Sequence, residues 1–398
     1  MDKRDPIIVS AVRTAIGDFG GALRDVSHTD LASLVMGELC QRVNFPKEEI
    51  GDVYWGVVMV RSDENGLTRC AALKAGLPIQ ASAVQMNRAC CSSMEAIRIA
   101  SMAIRLGEAD AIVAGGGESM SNVSYSIKGA RWGLRLRHHE ISDGVWDGLF
   151  DQHTGLIMGL TAENVAEEYH VSREAQDEFA FTSQMRAKTA LEEGRFKDEI
   201  VPVVIPGKRG EPDKRFDTDE HPRPQTTLEG LAKLPPAFKK DGTVTAGNSS
   251  GINDGASAVL VVSRELADRL NLRRRWRIAG CVAVGVDPRI MGIGPIPAVR
   301  KLMKQTGYKV EDMQLIEMNE AFAAPCIAVE RELELRRDIL NVNGGGIALG
   351  HPIGNTGCRL VVSLIYEMEK RGLERGLATL CGGSGHGQAI IIEREGDH

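Results

Sequence analysis

The chain has 398 residues, of which 43% are hydrophobic and 26% charged, and its formal net charge is −6. This length suits two or three ordinary domains with a substantial core, and the composition excludes a low-complexity chain. The negative net charge provides no global attraction for nucleic acid or for an anionic membrane, so the sequence predicts neither as a partner.

The N-terminal stretch and the cysteines bear on location and on bound metals. The chain opens with "MDKRDPIIVSAVRT", which enters an apparent strand without the apolar core of a signal peptide. No apolar stretch approaches the ~20 residues of a membrane span. The eight cysteines contain no C-x-x-C pair, which fits reduced thiols better than a disulfide framework or a zinc site. We expect a cytoplasmic protein without a metal site.

Short apolar segments alternate with amphipathic stretches over the first 120 residues. The apolar segments are rich in valine and isoleucine, as strands are, whereas the longer stretches carry helical periodicity. Such alternation predicts an α/β fold. The predicted strands are 7–14, 52–60, 83–87 and 109–117, and the predicted helices are 30–43 and 90–107.

The pattern changes twice further along the chain. From about residue 119 to 250 it loosens into polar and proline-rich loops around a helical stretch at 162–194, which indicates an insertion. A second series of strands and helices follows the basic run "NLRRRWR", which places a domain boundary near residue 274. The predicted domains are a first half, an inserted loop domain and a second half: 1–120 completed by 251–274, 121–250, and 275–398.

The two series resemble each other. "VQMN", a helix and "RLGEADAIVAGGG" in the first series parallel "LNVN", a helix and "KRGLERGLATLCGGSG" in the second. Aligning the final strands puts Cys381 opposite Ala114, and the second series inserts "GGGIALGHPIGNTG" before its helix. We therefore expect the chemistry to be divided between two copies of one plan.

Five ordered motifs identify the chain as similar to the thiolases over nearly its whole length: "NRACCSS", "TAGNSSGINDGA", "NEAFA", "GGGIALGHPIGNTG" and "CGGSGHG". The resemblance implies two duplicated α/β halves, layered α/β/α/β/α, with an inserted loop domain that binds coenzyme A (CoA). It implies cleavage of a 3-oxoacyl-CoA to acetyl-CoA and a shortened acyl-CoA, or the reverse condensation of two acetyl-CoA to acetoacetyl-CoA. CoA is then a co-substrate, and no cofactor is bound permanently.

Cys90 is the candidate nucleophile. Its predicted position in the turn that feeds a helix offers unpaired backbone N–H groups and the positive end of the helix dipole, which favour a thiolate. Taken alone, a Cys-Cys pair indicates buried packing instead. The resemblance assigns the nucleophile to Cys90 and puts Cys91 where the family usually has glycine, so we interpret Cys91 as structural.

The resemblance also assigns the proton-transfer groups. His351, in a glycine-rich loop, activates the nucleophile, and Cys381, directly after a predicted strand, acts as the acid and base for the carbon that is cleaved or joined. The backbone N–H groups of Cys90 and Gly383 form one oxyanion hole, and His351 with a water held by Asn319 forms the other. Ser384 departs from the glycine of the family pattern.

Further residues match family positions that contact the substrate. Arg223 corresponds to a residue near the CoA nucleotide, and Ser250 to one at the pantetheine. Met158, Met291 and Phe322 correspond to residues that line the acyl pocket, and their bulk suits a short acyl chain, although ordinary core packing explains each of them equally well.

Two other classes stay open at this point. A ketoacyl synthase shares the fold but pairs its cysteine with two histidines, or with a histidine and an asparagine, which leaves Cys381 without a role. A non-catalytic acyl-CoA binding protein would be expected to lack Cys90, His351 or Cys381. The stretch "VSYSIKGARWGLRLRHHE" resembles the family's tetramer-forming loop, so we expect a homo-oligomer, either a dimer or a tetramer. Reaction direction and chain length are left open.

Overall fold

The computed structural model describes residues 2–207, 210–273 and 276–395. Within these residues the strands alternate with helices in both halves of the chain, as predicted. The strands are β1 (Pro6–Thr14), β2 (Gly17–Asp18), β3 (Asp52–Gly56), β4 (Ser82–Met86), β5 (Ala111–Ser119), β6 (Tyr125–Ser126), β7 (Ser142–Asp143), β8 (Ile200–Val201), β9 (Val203–Ile205), β10 (Lys214–Phe216), β11 (Asn253–Ser263), β12 (Trp276–Gly285), β13 (Leu315–Met318), β14 (Arg375–Gly382) and β15 (His386–Arg394).

The helices carry apolar residues at helical spacing on the faces that pack against the sheet. Short 3₁₀ turns supplement them. The α-helices are α1 (His28–Arg42), α2 (Leu67–Lys74), α3 (Ser92–Leu106), α4 (Gly144–Gly148), α5 (Met158–Glu168), α6 (Arg173–Glu192), α7 (Leu228–Ala232), α8 (Arg264–Arg269), α9 (Pro295–Thr306), α10 (Ala323–Leu333), α11 (Gly346–Leu349) and α12 (Thr356–Arg371).

One mixed sheet runs through both halves in the order β13-β14-β15-β12-β1-β11-β5-β3-β4, with β2 and β8 pairing at its side. In the first half, β3 is parallel to β5, and β5 is antiparallel to β11. In the second half, β13 is parallel to β14, and β14 is antiparallel to β15. The halves thus repeat one arrangement, and they meet where Ile7 and Ile8 of β1 pair with Arg277 and Trp276 of β12.

The chain forms five layers: outer helices, sheet, central helices, sheet and outer helices. Three large apolar clusters pack these layers together. Helices α1 and α2 cover the outer face of the first half of the sheet, and α9 and α10 cover the outer face of the second. Helices α3 and α12 lie between the two halves of the sheet and share one core with residues of β5, β14 and β15. This confirms the predicted α/β/α/β/α fold.

The two central helices bring the ends of both halves together. Each is stopped by a glycine in the left-handed conformation, Gly107 after α3 and Gly372 after α12, where a residue with a Cβ is strained. At their starts, Ser93 Oγ donates to the backbone oxygen of Asn355 at 3.0 Å and accepts from the N–H of Cys358 at 2.9 Å. The starts of α3 and α12 are therefore joined directly.

Three sequence predictions differ from the structure in detail. The predicted helix at 162–194 is two helices, because the chain turns at His170 (φ 51°) and Ser172 caps a new helix through the N–H of Ala175. The "LNVN" segment forms a single bridge between Leu340 and Ile316 rather than a strand like β4. The predicted strand at 52–60 ends at Gly56.

The predicted boundary between residues 274 and 275 lies outside the described residues, and the division into three domains stays a prediction. The segment 121–250 contains α4 to α7 and short strands; one of these, β8, pairs with β1 of the main sheet, and the chain then continues into β11. In the part of the chain that the structure describes, no helix has the length and apolar character needed to cross a membrane.

Candidate active site

Cys90 lies in a tight turn between β4 and α3. Ala89 before it has a positive φ of 48°, and Ser92 fixes the turn by donating to the backbone oxygen of Ala89 at 2.6 Å and accepting from the N–H of Arg88 at 2.8 Å. Cys90 is partly exposed, whereas Cys91 is fully buried in the core around α3 and α12. Of the two thiols, the one at Cys90 is open to a ligand.

The environment of Cys90 does not produce a resting thiolate. Burial raises the pKa of the Cys90 thiol to about 11, although the backbone N–H groups of Gly383 and of Cys90 itself favour the ionised form. The N–H groups at the helix start thus act in the direction expected from the sequence, but loss of hydration outweighs them and the thiol keeps its proton. A nearby base is needed to take the proton when the sulfur attacks.

His351 is buried and held on three sides. Its backbone N–H donates to Oδ1 of Asn253 at 2.9 Å, and its Nδ1 lies 2.6 Å from Oγ1 of Thr356. Because the Thr356 hydroxyl donates to the backbone oxygen of Pro352 at 3.0 Å, we assign the proton to Nδ1 of His351. Burial, followed by the charge of Arg359, lowers the pKa of His351 to about 3. The ring is neutral, with its lone pair on Nε2.

Asn319 directly follows β13 and faces the histidine. Its Nδ2 lies 3.4 Å from Nε2 of His351, and its buried Oδ1 accepts no hydrogen bond from the described residues. A cavity of about 10 Å³ adjoins Asn319, Phe322 and Cys381, which is about the room that one water needs. A buried oxygen beside a water-sized space suits a bound water.

Cys381 comes from the end of β14, where it pairs with Gly387 of β15. Its side chain is buried, and burial followed by the proximity of Cys90 raises the pKa of its thiol to about 12. The two cysteines, which the sequence places in different copies of the repeat, thus lie close to each other. The chain continues through Gly383 into Ser384. Ser384 adopts the left-handed conformation (φ 61°), which favours glycine, the residue expected here from the sequence resemblance.

The predicted acyl-pocket residues surround Cys381. Met291 and Phe322 are buried in a small apolar cluster with Cys381, and Met158 packs against that cluster. The ring of Phe238 meets the ring of Phe322 edge to face, with centroids 6.1 Å apart. These side chains close the space around Cys381, so the cluster is both a packed core and a pocket wall.

The predicted CoA contacts lie farther out. Ser250 is next to the pocket wall, since its N–H donates to the backbone oxygen of Ala321 at 2.9 Å. Arg223 lies on the surface of the insertion with more than half of its side chain exposed, and its Nη2 is 2.9 Å from Asp18. The structure therefore brings Ser250 next to the pocket wall and leaves Arg223 on the surface of the insertion.

Sequence reasoning missed two residues that orient His351. Thr356 binds its ring, and Asn253 binds its backbone. Thr356 is five residues from His351 in the same motif, and Asn253 lies in the "TAGNSSGINDGA" motif, so motif membership was the available signal. Among the described residues, no group of three His, Cys, Asp or Glu side chains is placed as metal ligands are.

This arrangement defines a site for covalent acyl transfer. A protonated thiol beside two backbone N–H groups serves as a nucleophile once a base takes its proton, and a neutral imidazole whose Nε2 carries a lone pair is such a base. A second protonated thiol lies close to the first and keeps its own proton when the first sulfur is bonded to carbon. Such a pair of thiols suits acyl transfer that also makes or breaks a bond to carbon.

Comparisons with known proteins agree with this class. The family models described as thiolase N-terminal domain and thiolase C-terminal domain match residues 6–265 and 272–394. The acetyl-CoA acetyltransferase of Syntrophomonas wolfei is 48% identical over 395 residues, covering 98% of this chain and 99% of the relative.

Solved structures of two similar proteins have the same fold. The Bacillus anthracis acetyl-CoA acetyltransferase superposes with a TM-score of 0.96 at 48% identity, covering 98% of this chain and 99% of that one. Human mitochondrial 3-ketoacyl-CoA thiolase in complex with CoA gives 0.94 at 40% identity, covering 99% of both chains. The chain belongs to the thiolase family.

Proposed function

We propose that this protein is a CoA-dependent thiolase that works through an acyl group on Cys90. It cleaves a 3-oxoacyl-CoA to acetyl-CoA and a shortened acyl-CoA, or condenses two acetyl-CoA to acetoacetyl-CoA. The observation that carries the proposal is the proximity of two protonated cysteines from separate halves of the fold, together with a neutral histidine that contacts Asn319 at the cavity next to Cys381.

In the cleavage direction, Cys90 Sγ attacks the 3-oxo carbonyl carbon while its proton passes to Nε2 of His351. The bond between C2 and C3 then breaks, and its electron pair stays on C2 as the enolate of acetyl-CoA. The thiol of Cys381 gives its proton to C2, acetyl-CoA leaves, and the shortened acyl group remains on Cys90.

The second half of the reaction restores every proton. The Cys381 thiolate takes the proton of an incoming CoA thiol, and the CoA sulfur attacks the acyl carbonyl. Cys90 leaves as a thiolate and recovers its proton from the His351 imidazolium, so that the shortened acyl-CoA is released from the starting enzyme. Two successive displacements give ping-pong kinetics.

Two groups of donors stabilise the negative oxygens of this sequence. The N–H groups of Cys90 and Gly383 serve the tetrahedral intermediate on Cys90, and their proximity to the Cys90 sulfur supports this role. His351 and a water on Asn319 serve the enolate oxygen of acetyl-CoA. The unpartnered Oδ1 of Asn319 beside a water-sized cavity supports the second role.

We propose a short-chain 3-oxoacyl-CoA as the substrate. Met158, Met291, Phe322 and Phe238 occupy the space next to Cys381, so a long acyl chain has to displace packed side chains. Ser250 is proposed to contact the pantetheine and Arg223 the nucleotide of CoA. No permanently bound cofactor takes part in these steps.

The two alternative classes account less well for the site. A ketoacyl synthase leaves Cys381 without a task, although its thiol lies in the same pocket as Cys90. A non-catalytic acyl-CoA binding protein leaves unexplained why His351 is fixed with its lone pair directed to Asn319.

We also propose a homo-oligomer in the cytoplasm. The segment 123–150 exposes large apolar side chains, among them Trp132, Leu136 and Ile141, and the edge strand β4 exposes Val84. Such surfaces are uncommon on monomers and typical of interfaces. Light scattering coupled to size exclusion tests the state, and a monomer at micromolar concentration contradicts it.

The function is tested by CoA-dependent cleavage of 3-oxoacyl-CoA esters of increasing chain length, followed through loss of the 3-oxo thioester. We expect the highest kcat/KM for the four-carbon ester and parallel lines in double-reciprocal plots with varied CoA. A rate that rises with chain length contradicts the short-chain proposal, and intersecting lines contradict the acyl-enzyme.

A further inference from the structure

Glu118 is a buried carboxylate between the two catalytic loops. It lies near the end of β5 and is fully buried. Its Oε1 accepts the N–H of Met59 at 3.0 Å, and its Oε2 accepts the N–H groups of Val58 at 3.1 Å and of Gly354 at 3.0 Å. One carboxylate therefore holds a loop of the first half and a loop of the second.

The first of these loops is tied to the nucleophile turn. Asn87 donates from Nδ2 to the backbone oxygen of Val58 at 3.2 Å and accepts at Oδ1 from the N–H of Ala89 at 2.9 Å. Ala89 immediately precedes Cys90. The hydrogen bonds thus connect Glu118 through Val58 and Asn87 to Ala89, the residue before the proposed nucleophile.

The second loop carries His351. Gly354 packs so closely that a Cβ there would lie 2.5 Å from the backbone oxygen of Gly117 and 2.7 Å from Oε2 of Glu118. Within the same loop, the N–H of Asn355 donates to the backbone oxygen of Pro352 at 2.9 Å. The histidine loop is therefore seated directly on Glu118.

We propose that Glu118 is a positioning residue that fixes the distance between Cys90 and His351 by binding both of their loops through one carboxylate. The inference rests on the proposed function, in which the Cys90 proton passes to His351. Proton transfer and attack are sensitive to placement, and a displacement of about 1 Å can cost about 10²-fold in rate.

Glu118→Gln is the informative change because the side chain keeps its shape. Glutamine has one acceptor oxygen, and its NH₂ group faces either the N–H of Met59 or the N–H groups of Val58 and Gly354, so at least one of the three hydrogen bonds to the loops is replaced by a contact between two donors. Burial raises the pKa of Glu118 to about 7, and Asp254 on β11 adds to that rise. The comparison is therefore made about one unit above that pH, where the wild-type group is a carboxylate.

We expect Glu118→Gln to lower kcat for thiolysis and the rate of Cys90 acylation by about 10–100-fold, with KM for CoA changed by less than about twofold. Glu64→Gln is the matched control, since Glu64 accepts the N–H and hydroxyl of Thr29 at the start of α1. It should leave both rates unchanged. A purely structural role for Glu118 would lower the folded fraction without slowing acylation of the folded protein.

Asn87→Ala removes the hydrogen bonds that link Val58 to Ala89. Because Asn87 is exposed, this variant tests the proposal even if Glu118→Gln does not fold. We expect it alone to slow Cys90 acylation, and the double variant to lose less than the product of the two single losses, because both break one link. Wild-type acylation in either single variant, or multiplicative losses, would overturn the proposal. Turnover that survives in Cys90→Ser would instead overturn the proposed function, so the two failures are distinguishable.

Discussion

Strands β5 and β14 hold equivalent places in the two halves, yet they meet the site differently. On β5, a Cβ at Gly115 would lie 2.3 Å from the oxygen of Ser257 on the neighbouring strand β11, and a Cβ at Gly116 would lie 2.4 Å from the oxygen of Gly354, so backbone of the second half packs directly against β5 at Gly116. β14 instead projects the side chain of Cys381 into the pocket.

This difference is consistent with the proposed division of one reaction between two repeated units. The first half supplies the turn that carries Cys90 and a glycine-lined strand that admits the His351 loop of the second half. The second half supplies that loop and Cys381, the proposed proton-transfer group. Neither half holds a complete site. β5 carries glycines that make room for the loop of the second half, whereas β14 carries the Cys381 side chain.

The largest effect is expected from removing the sulfur of the first half. Cys90→Ser should lower thiolysis by about 10⁴-fold or more, as loss of an enzymatic nucleophile does, because an alcohol ionises far less readily than a thiol. Steady-state cleavage of acetoacetyl-CoA measures it. Cys70→Ser, which changes an exposed cysteine away from the pocket, is the control and should keep wild-type activity.

A smaller loss of activity is expected when the sulfur of Cys381, in the second half, is replaced. Cys381→Ser should lower thiolysis and condensation by about 10² to 10⁴-fold, the contribution of general acid and base catalysis, because a serine hydroxyl exchanges protons poorly near neutral pH. The same cleavage assay, with condensation followed by release of CoA, measures the loss. Near-wild-type turnover in the folded variant would make Cys381 a packing residue.

The glycine strand of the first half is expected to tolerate no side chain. Gly116→Ala puts a methyl group 2.4 Å from the oxygen of Gly354 and 2.6 Å from Cβ of Ser93, so it should destabilise the fold by about 1–3 kcal/mol. Thermal or denaturant unfolding measures this. Gly37→Ala in α1, whose new Cβ meets nothing closer than 3.9 Å, should be neutral or stabilising; equal losses in both would contradict the packing account.

The smallest effect is expected at the rim of the insertion, which belongs to neither copy of the repeat. Arg223→Ala should raise KM for CoA about threefold to tenfold with kcat unchanged, because an exposed charge contributes roughly 1 kcal/mol of uniform binding. Arg300→Ala is the control, since Arg300 is equally exposed and pairs with Glu332 on another surface. A fall in kcat at constant KM would remove Arg223 from the binding role.

Much of the fold was predictable from the sequence, because strand and helix periodicity is a local signal. The similar series of segments that begin with "VQMN" and "LNVN" also indicated that the two halves share one arrangement. The family motifs also named Cys90, His351 and Cys381; Cys381 lies near Cys90, and His351 contacts Asn319 at the cavity next to Cys381, which is consistent with the roles that stay proposed. The raised pKa of Cys90 was not predictable, since burial depends on packing from the other half. Glu118 was missed because its partner Gly354 is 236 positions away.

The identity of the acylated sulfur tests the central claim most directly. Wild-type protein and Cys381→Ser are incubated with acetyl-CoA, quenched in acid, digested and mapped by peptide mass. We expect the acetyl group on Cys90 in both proteins. An acetyl group on Cys91 or Cys381, or a Cys381→Ser protein that cannot be acylated, would contradict the division of labour between the two halves.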